Sequence, residues 1–306
     1  MDENRPTPPW MRFIRATRPL LLIGAILTYW LGAGIADYLG VTIHWGNYLL
    51  GQACVIALLL GGIYLDGYYT RLSEPAPTRK NLHSSGDGKD GRDSPPINLL
   101  VGGAAALTAA ASLTVVLLQQ TRPSPPALLI MGLAFLAVVS YAVPPLRLVW
   151  SGYGELVVSI LIANLTPALA FLFQTGELHR LLAMSTFPLT ALSMALFLVS
   201  QLSEYLDDIK NNRRTLLVRL GWQRGMVLHN GMIVAAFLLM ALALTFRLPL
   251  FIGLPAFLPL PLGVLQVWQM RRIADGARPN WTSLKLTAIV LFATTAYLIA
   301  FAFWMR

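Results

Sequence analysis

Charge is scarce in this sequence. Only 12% of its 306 residues are Asp, Glu, Lys or Arg, where a soluble domain carries about a quarter. Apolar residues make up 56%, and the mean hydropathy is +0.62. Cysteine is nearly absent: Cys54 stands alone, which excludes an intramolecular disulfide and any cysteine-based zinc site. The histidines His44, His83, His179 and His229 lie too far apart to suggest a local pair of metal ligands. No P-loop, dinucleotide-binding fingerprint or nucleophile elbow is present. What remains is a chain built for the bilayer.

A helix crossing the hydrocarbon core needs about 20 mostly apolar residues. On that basis nine spans are expected, at about 20–39, 47–69, 97–119, 126–144, 155–175, 182–205, 226–246, 249–269 and 284–305. Spans seven and eight are divided only by the short turn "RLPLF", where Pro249 favours a break. The first apolar run follows basic residues as a signal peptide would. Because further spans follow it, it is read as a retained first helix. Of the 23 Lys and Arg, nineteen fall on the N-terminal side of this topology, leaving Arg122, Arg180, Arg247 and Arg306 opposite. The positive-inside rule then puts the N-terminus in the cytoplasm. The net charge of +9 faces anionic lipid and requires no nucleic acid. The expected fold is all-α: a polytopic bundle of nine transmembrane helices in one domain over 1–306, multi-pass in the cell membrane. A flexible cytoplasmic loop is expected at about 71–96, where Pro, Gly, Ser and Asp crowd without apolar periodicity.

The few acids near the spans sit at one end of the bundle. Asp66 lies near the cytoplasmic end of span two, and Glu204, Asp207 and Asp208 lie at that of span six. Both places share the tripeptide Tyr-Leu-Asp, at 64–66 and at 205–207. Carboxylates there are costly, because the membrane penalises charge and a helix C-terminus disfavours negative charge. Glu204 and Asp208 are spaced i, i+4 and share a face. A salt network with Arg213 or Arg214 is one account. Two carboxylates on one face repel unless a cation lies between them, which favours a divalent-ion site. Magnesium suits it, held by a few carboxylates and completed by phosphate and water. Arg213 and Arg214 follow directly, and arginine forks match phosphate oxygens. Acids, metal and arginines at the lip of an apolar bundle describe a site for a diphosphate with an oily tail.

Three stretches carry a family resemblance. "FIRATRPLLLIGAILTYWLGAGIA" (13–36) has an Arg-Pro before span one. "YAVPPLRLVWSGYGELVVSILIANLTPALAFLFQTGEL" (141–178) contains Pro-Pro-Leu-Arg, Gly-Glu and Gln-Thr-Gly. "EYLDDIKNNRRTLLVRLG" (204–221) is an acid-rich motif followed by a basic pair and Thr-Leu. Together they resemble the UbiA superfamily of intramembrane prenyltransferases, and within it the 1,4-dihydroxy-2-naphthoate polyprenyltransferase branch. By position, Glu204 and Asp208 match the acids of the second motif, Arg213 and Arg214 its basic pair, and Thr215 its threonine. Asp66 matches the first acid of the pattern N-x-x-x-D-x-x-x-D. Gly62 stands where that pattern has Asn, Thr70 where it has its second Asp, and Asn212 where the second motif has Gly. Glu74, one turn on, is a candidate substitute for Thr70.

The resemblance implies transfer of an isoprenoid chain from a prenyl diphosphate to an aromatic acceptor of quinone (menaquinone) biosynthesis. It implies Mg2+ held by Asp66, Glu204 and Asp208, and diphosphate bound by Arg147, Arg213 and Arg214. Tyr141, with Tyr68 and Tyr69, offers an aromatic face to an allylic cation; a tyrosine at the membrane interface is the plainer reading. For Arg147, phosphate contact and topology anchor stand side by side. Asn164 and Gln174 fit interhelical hydrogen bonds or contact with a polar acceptor. A UbiA-type terpene cyclase and a degenerate, non-catalytic isoprenoid-binding relative are the alternatives.

Overall fold

The computed structural model describes residues 18–73, 97–121 and 124–305. Of the loop expected at about 71–96, residues 74–96, Glu74 included, lie outside the described residues, whereas Arg71–Ser73 continue the helix of span two. The described part holds nine helices long and apolar enough to cross a membrane. The first four are α1 (Pro19–Tyr38), α2 (Trp45–Ser73), α3 (Ile97–Gln120) and α4 (Pro125–Ala142). A one-turn α5 (Leu148–Ser151) precedes the fifth span, which is α6 (Gly154–Ile160), a π-turn at Leu161–Leu165 and α7 (Thr166–Thr175). Then come α8 (Arg180–Lys210), a short α9 (Leu216–Leu220) and α10 (Trp222–Thr245). The eighth span comprises α11 (Leu250–Gly253), a 3-10 turn at Pro255–Phe257 and α12 (Leu260–Ala274); α13 (Trp281–Trp304) is last.

The nine expected spans are all present, with two differences inside them. Pro255, Pro259 and Pro261 withhold backbone donors within a few residues, so the expected single helix over 249–269 is broken near its start. In span five, Pro167 disturbs the helical ladder, and the preceding turn widens to π geometry. Neighbours take up the carbonyls of that turn. Thr28 Oγ1 on α1 donates to the Ile162 carbonyl at 2.7 Å, and Thr166 Oγ1 donates to that of Leu161 at 2.8 Å. Freed backbone groups in a membrane survive only with such partners.

Helix α1 packs against α7 on one side and α13 on the other, closing the bundle between its first and last spans. The α1–α7 contact is backbone-close: a Cβ on Gly32 would come within 2.1 Å of the Pro167 carbonyl oxygen. Small residues at such a crossing replace the hydrophobic drive that lipid cannot supply. Helix α2 packs on α3 and α4, and α8 on α10 and α13. Helix α3 is peripheral. Outside, Leu129, Leu136, Val227, Leu238 and Val264 stay exposed, as lipid-facing side chains do. Helix α8 runs five residues past its expected end, to Lys210. That extension keeps Glu204 and Asp208 on one helix, as their spacing predicts.

Candidate active site

The start of α1, the ends of α2, α4 and α8, and the start of α6 meet at one end of the bundle. They enclose a cavity of about 590 Å3 whose polar lining includes Arg18, Asp66, Tyr141, Glu155, Glu204 and Asp208. Leu21, Val158 and Phe197 supply apolar wall. Polar mouth and apolar depth thus share one space, as a charged head with an oily tail requires.

On the α2 side, Asp66 is buried and fully engaged. Arg18 Nη2 donates to its Oδ2 at 2.9 Å, and Thr70 Oγ1 donates to its Oδ1 at 3.3 Å. The other arm of Arg18 donates to the Tyr141 hydroxyl at 3.2 Å. Tyr141 first, and then the Asp66 carboxylate, raise the Arg18 pKa above its ordinary value against the opposing effect of burial. Arg147 reaches the last turns of α2, donating to Ser73 Oγ at 2.7 Å and Thr70 Oγ1 at 3.2 Å. Burial lowers its pKa, and the Asp66 carboxylate opposes that shift. Gly62 lies against α4, where a Cβ would come within 2.8 Å of Val138 Cγ1. The crossing leaves no room there for the Asn of the family pattern unless Val138 moves.

On the α8 side, Asp208 is buried, and its Oδ2 accepts from Thr215 Oγ1 at 3.3 Å. Its Oδ1 stands 3.8 Å from Arg213 Nη1, a loose pairing. Glu204 is more exposed, and its Oε1 lies 3.9 Å from Lys285 Nζ. The chain leaves α8 through Asn212 at φ 54°, and the Arg213 amide donates to the Asp208 carbonyl at 2.8 Å. Left-handed backbone at a helix exit favours Gly and tolerates Asn. The replacement of the family's glycine by Asn212 is therefore conservative in conformation. Trp150 joins the two sides, with Arg147 Cζ 3.9 Å and Arg213 Cζ 5.5 Å from its ring centroid.

Glu155, in the first turn of α6, is the acid that sequence reasoning left without a role. It is 8% exposed. Its Oε1 accepts from Gln201 Nε2, and its Oε2 has no hydrogen-bond partner among the described residues. Gln201 Oε1 in turn accepts from the Leu217 amide at 3.3 Å, tying α8 to α9. An acid within an apolar span is itself a sign of function, and the Gly-Glu pair was in view. Arg18 and Trp150 were the other residues missed. Arg18 belongs to the Arg-Pro of the first resembling stretch, but its sequence position gives no sign of its grip on Asp66.

Asp66, Tyr141, Glu204, Asp208 and Arg213 thus share one cavity, with Arg147 beside it. Arg214 is exposed and not part of the lining. Among the described residues, no three His, Cys, Asp or Glu side chains converge as a metal-binding group. The acids therefore do not form a ready-made cage. Glu204 and Asp208 suit a magnesium ion in its commoner mode, with one or two carboxylates completed by phosphate oxygens. A second cavity, of about 650 Å3, opens at the opposite end near His44, Gln120 and Gln174 and has no charged lining residue. It is larger, yet none of this chemistry is there. Gln174 Oε1 accepts from the His44 amide at 2.9 Å. Asn164 donates to Thr190 and accepts from Thr186 on α8, so it makes interhelical bonds.

The model of the UbiA prenyltransferase family matches residues 98–289, more than half of the chain. No curated protein matches the sequence. Among solved structures, a UbiA homolog from Archaeoglobus fulgidus bound to DMAPP and Mg2+ superposes with a TM-score of 0.65 at 16% identity, covering 94% of this chain and 98% of that one. A UbiA homolog from the same organism bound to GPP and Mg2+ gives 0.60 at 17% identity, covering 94% and 99%. The apo structure of a UbiA homolog from Aeropyrum pernix K1 gives 0.56 at 15%, covering 92% and 96%. At these identities the likeness is one of fold.

Proposed function

Because the chain belongs to the UbiA prenyltransferase family, we propose that it transfers an isoprenoid chain from a prenyl diphosphate to an aromatic acceptor within the membrane. A phenolic quinone precursor such as a dihydroxynaphthoate is the acceptor class that the sequence resemblance favours. The observation that carries the proposal is the cavity itself, in which carboxylates of α2, α6 and α8 and the guanidinium groups of Arg18, Arg71 and Arg213 ring an apolar interior. Two UbiA homologs of the same fold are bound to Mg2+ with DMAPP or GPP, which supports the same ligands here.

Glu204 and Asp208 would hold magnesium, and Arg213 and Arg147 would grip the diphosphate oxygens from either side of Trp150. When bound, magnesium neutralises the leaving diphosphate. The bond between the allylic carbon and the diphosphate oxygen breaks, and its electron pair leaves with the diphosphate. Leu21, Val158 and Phe197 keep water from the electron-poor carbon, and Tyr141 stands beside them. A ring carbon of the acceptor supplies the new bond, and the ring then releases its proton, or carbon dioxide where that carbon bears a carboxylate. Glu155, a lining residue, is the carboxyl group available to orient an acceptor hydroxyl. With basic residues concentrated at this end, the cavity opens to the cytoplasm in our reading, and the protein resides in the cell membrane.

The test is a product assay by mass spectrometry on the purified protein, with a panel of prenyl diphosphates and aromatic acceptors and with Mg2+ present or chelated. Prenylated aromatics that require Mg2+ are expected. Products formed from prenyl diphosphate alone would indicate a terpene cyclase. Binding without any product would indicate a non-catalytic relative.

A further inference from the structure

We propose that Arg18 takes the place of a metal ion on the α2 side, so that prenyl diphosphate is bound with a single divalent cation, held by Glu204 and Asp208. This inference rests on the prenyl diphosphate reading above. Both carboxylate oxygens of Asp66 already have donors, Arg18 on Oδ2 and Thr70 on Oδ1. The two neighbours that would have enlarged the donor set are Gly62, which has no side chain, and Thr70, whose hydroxyl is committed to Asp66 and Arg147. A metal entering here would face one carboxylate and two guanidinium groups. It would have to displace Arg18 and then remain beside it, since Tyr141 holds the other arm.

The backbone supports a dedicated role for this cation. Arg18 has φ 46° immediately before Pro19, a left-handed conformation that a non-glycine residue adopts at a cost. Of the four described non-glycine residues with positive φ, three surround this cavity: Arg18, Arg147 and Asn212. Two of them aim guanidinium groups at the last turns of α2, and the third sets the turn that returns Arg213 to Asp208. The α8 side differs. There Arg213 pairs only loosely with Asp208 at 3.8 Å, and Lys285 lies 3.9 Å from Glu204. Those carboxylates can turn to a cation without breaking a tight ion pair. A fixed monovalent charge on one side and an exchangeable divalent charge on the other would share the diphosphate between them.

The experiment counts Mn2+ by electron paramagnetic resonance in the full-length protein saturated with geranyl thiolodiphosphate, which resists ionisation. One Mn2+ per chain is expected for the native protein, and none tightly bound after Asp208→Asn. Arg18→Ala should weaken binding of the analogue about tenfold at low Mn2+, the loss of one charge-assisted contact. It should also free Asp66 to recruit a second, weaker Mn2+ site, which Asp66→Asn on the same background removes. Two Mn2+ of similar affinity in the native complex would overturn the inference and leave the function standing. Failure of the native protein to bind the analogue at any Mn2+ concentration would overturn both. The native count decides the matter even if Arg18→Ala does not fold.

Discussion

Glu155 separates structure from chemistry within one carboxylate. Its Oε1 accepts from Gln201, which in turn secures the Leu217 amide, whereas Oε2 is buried without a partner among the described residues and the residue lines the cavity. Glu155→Gln keeps the shape and leaves an amide oxygen for Gln201, so stability should change by no more than about 1 kcal/mol, the worth of one hydrogen bond. Glu155→Ala removes the acceptor of a buried amide and should cost about 1–3 kcal/mol. Both variants remove the carboxyl group from the cavity. If the Glu155 carboxyl group orients the acceptor or receives its proton, turnover should fall about 10²–10⁴-fold in both. The assay pairs thermal unfolding in detergent with kcat and KM for each substrate. KM for prenyl diphosphate should change less than that for the acceptor, because the side-chain hydrogen bond of Glu155 runs to Gln201 and not to the arginines that grip the diphosphate. A Glu155→Gln variant with native kcat and native acceptor KM would refute this division of labour.

Other variants test the scaffold and the diphosphate grip. Asn212→Gly should fold as well as the native chain, whereas Asn212→Val should lose about 1–2 kcal/mol because a β-branched residue resists left-handed backbone; chemical denaturation reads the difference. Gly32→Ala should destabilise the bundle by at least about 1–3 kcal/mol, since its Cβ would meet the Pro167 carbonyl. Its melting temperature, set beside that of Gly231→Ala, where the added Cβ meets nothing within 4 Å, isolates the clash. Arg213→Ala should raise KM for prenyl diphosphate about tenfold or more, and Arg214→Ala distinctly less, because only Arg213 lines the cavity.

The spans were legible because each is a long apolar run. Their interruptions were less so. A proline in an apolar run marks a disturbance, but whether the chain widens by a π-turn, as before Pro167, or breaks, as near Pro255, depends on which neighbours accept the freed carbonyls. Thr28 is such a neighbour, and it lies 134 positions from Ile162. The same distance problem governed the site. Glu204 and Asp208 declared themselves through local spacing on one helix. The grip of Arg18 on Asp66 and Tyr141 joins residues 48 and 123 positions apart, and nothing local announces it. Two departures from the family pattern have physical reasons in the fold: Gly62 meets Val138, and Asn212 accepts the left-handed turn. Thr70 differs in kind, because its hydroxyl serves Asp66 and Arg147 where a second carboxylate is expected.

The most direct measurement follows product by mass spectrometry in purified native protein and in Asp208→Ala, each with prenyl diphosphate and a dihydroxynaphthoate. A prenylated aromatic should appear with native protein and Mg2+, vanish when Mg2+ is chelated, and fail to form in Asp208→Ala. Equal product from the native protein and the variant would contradict the assignment of this cavity as the reaction centre.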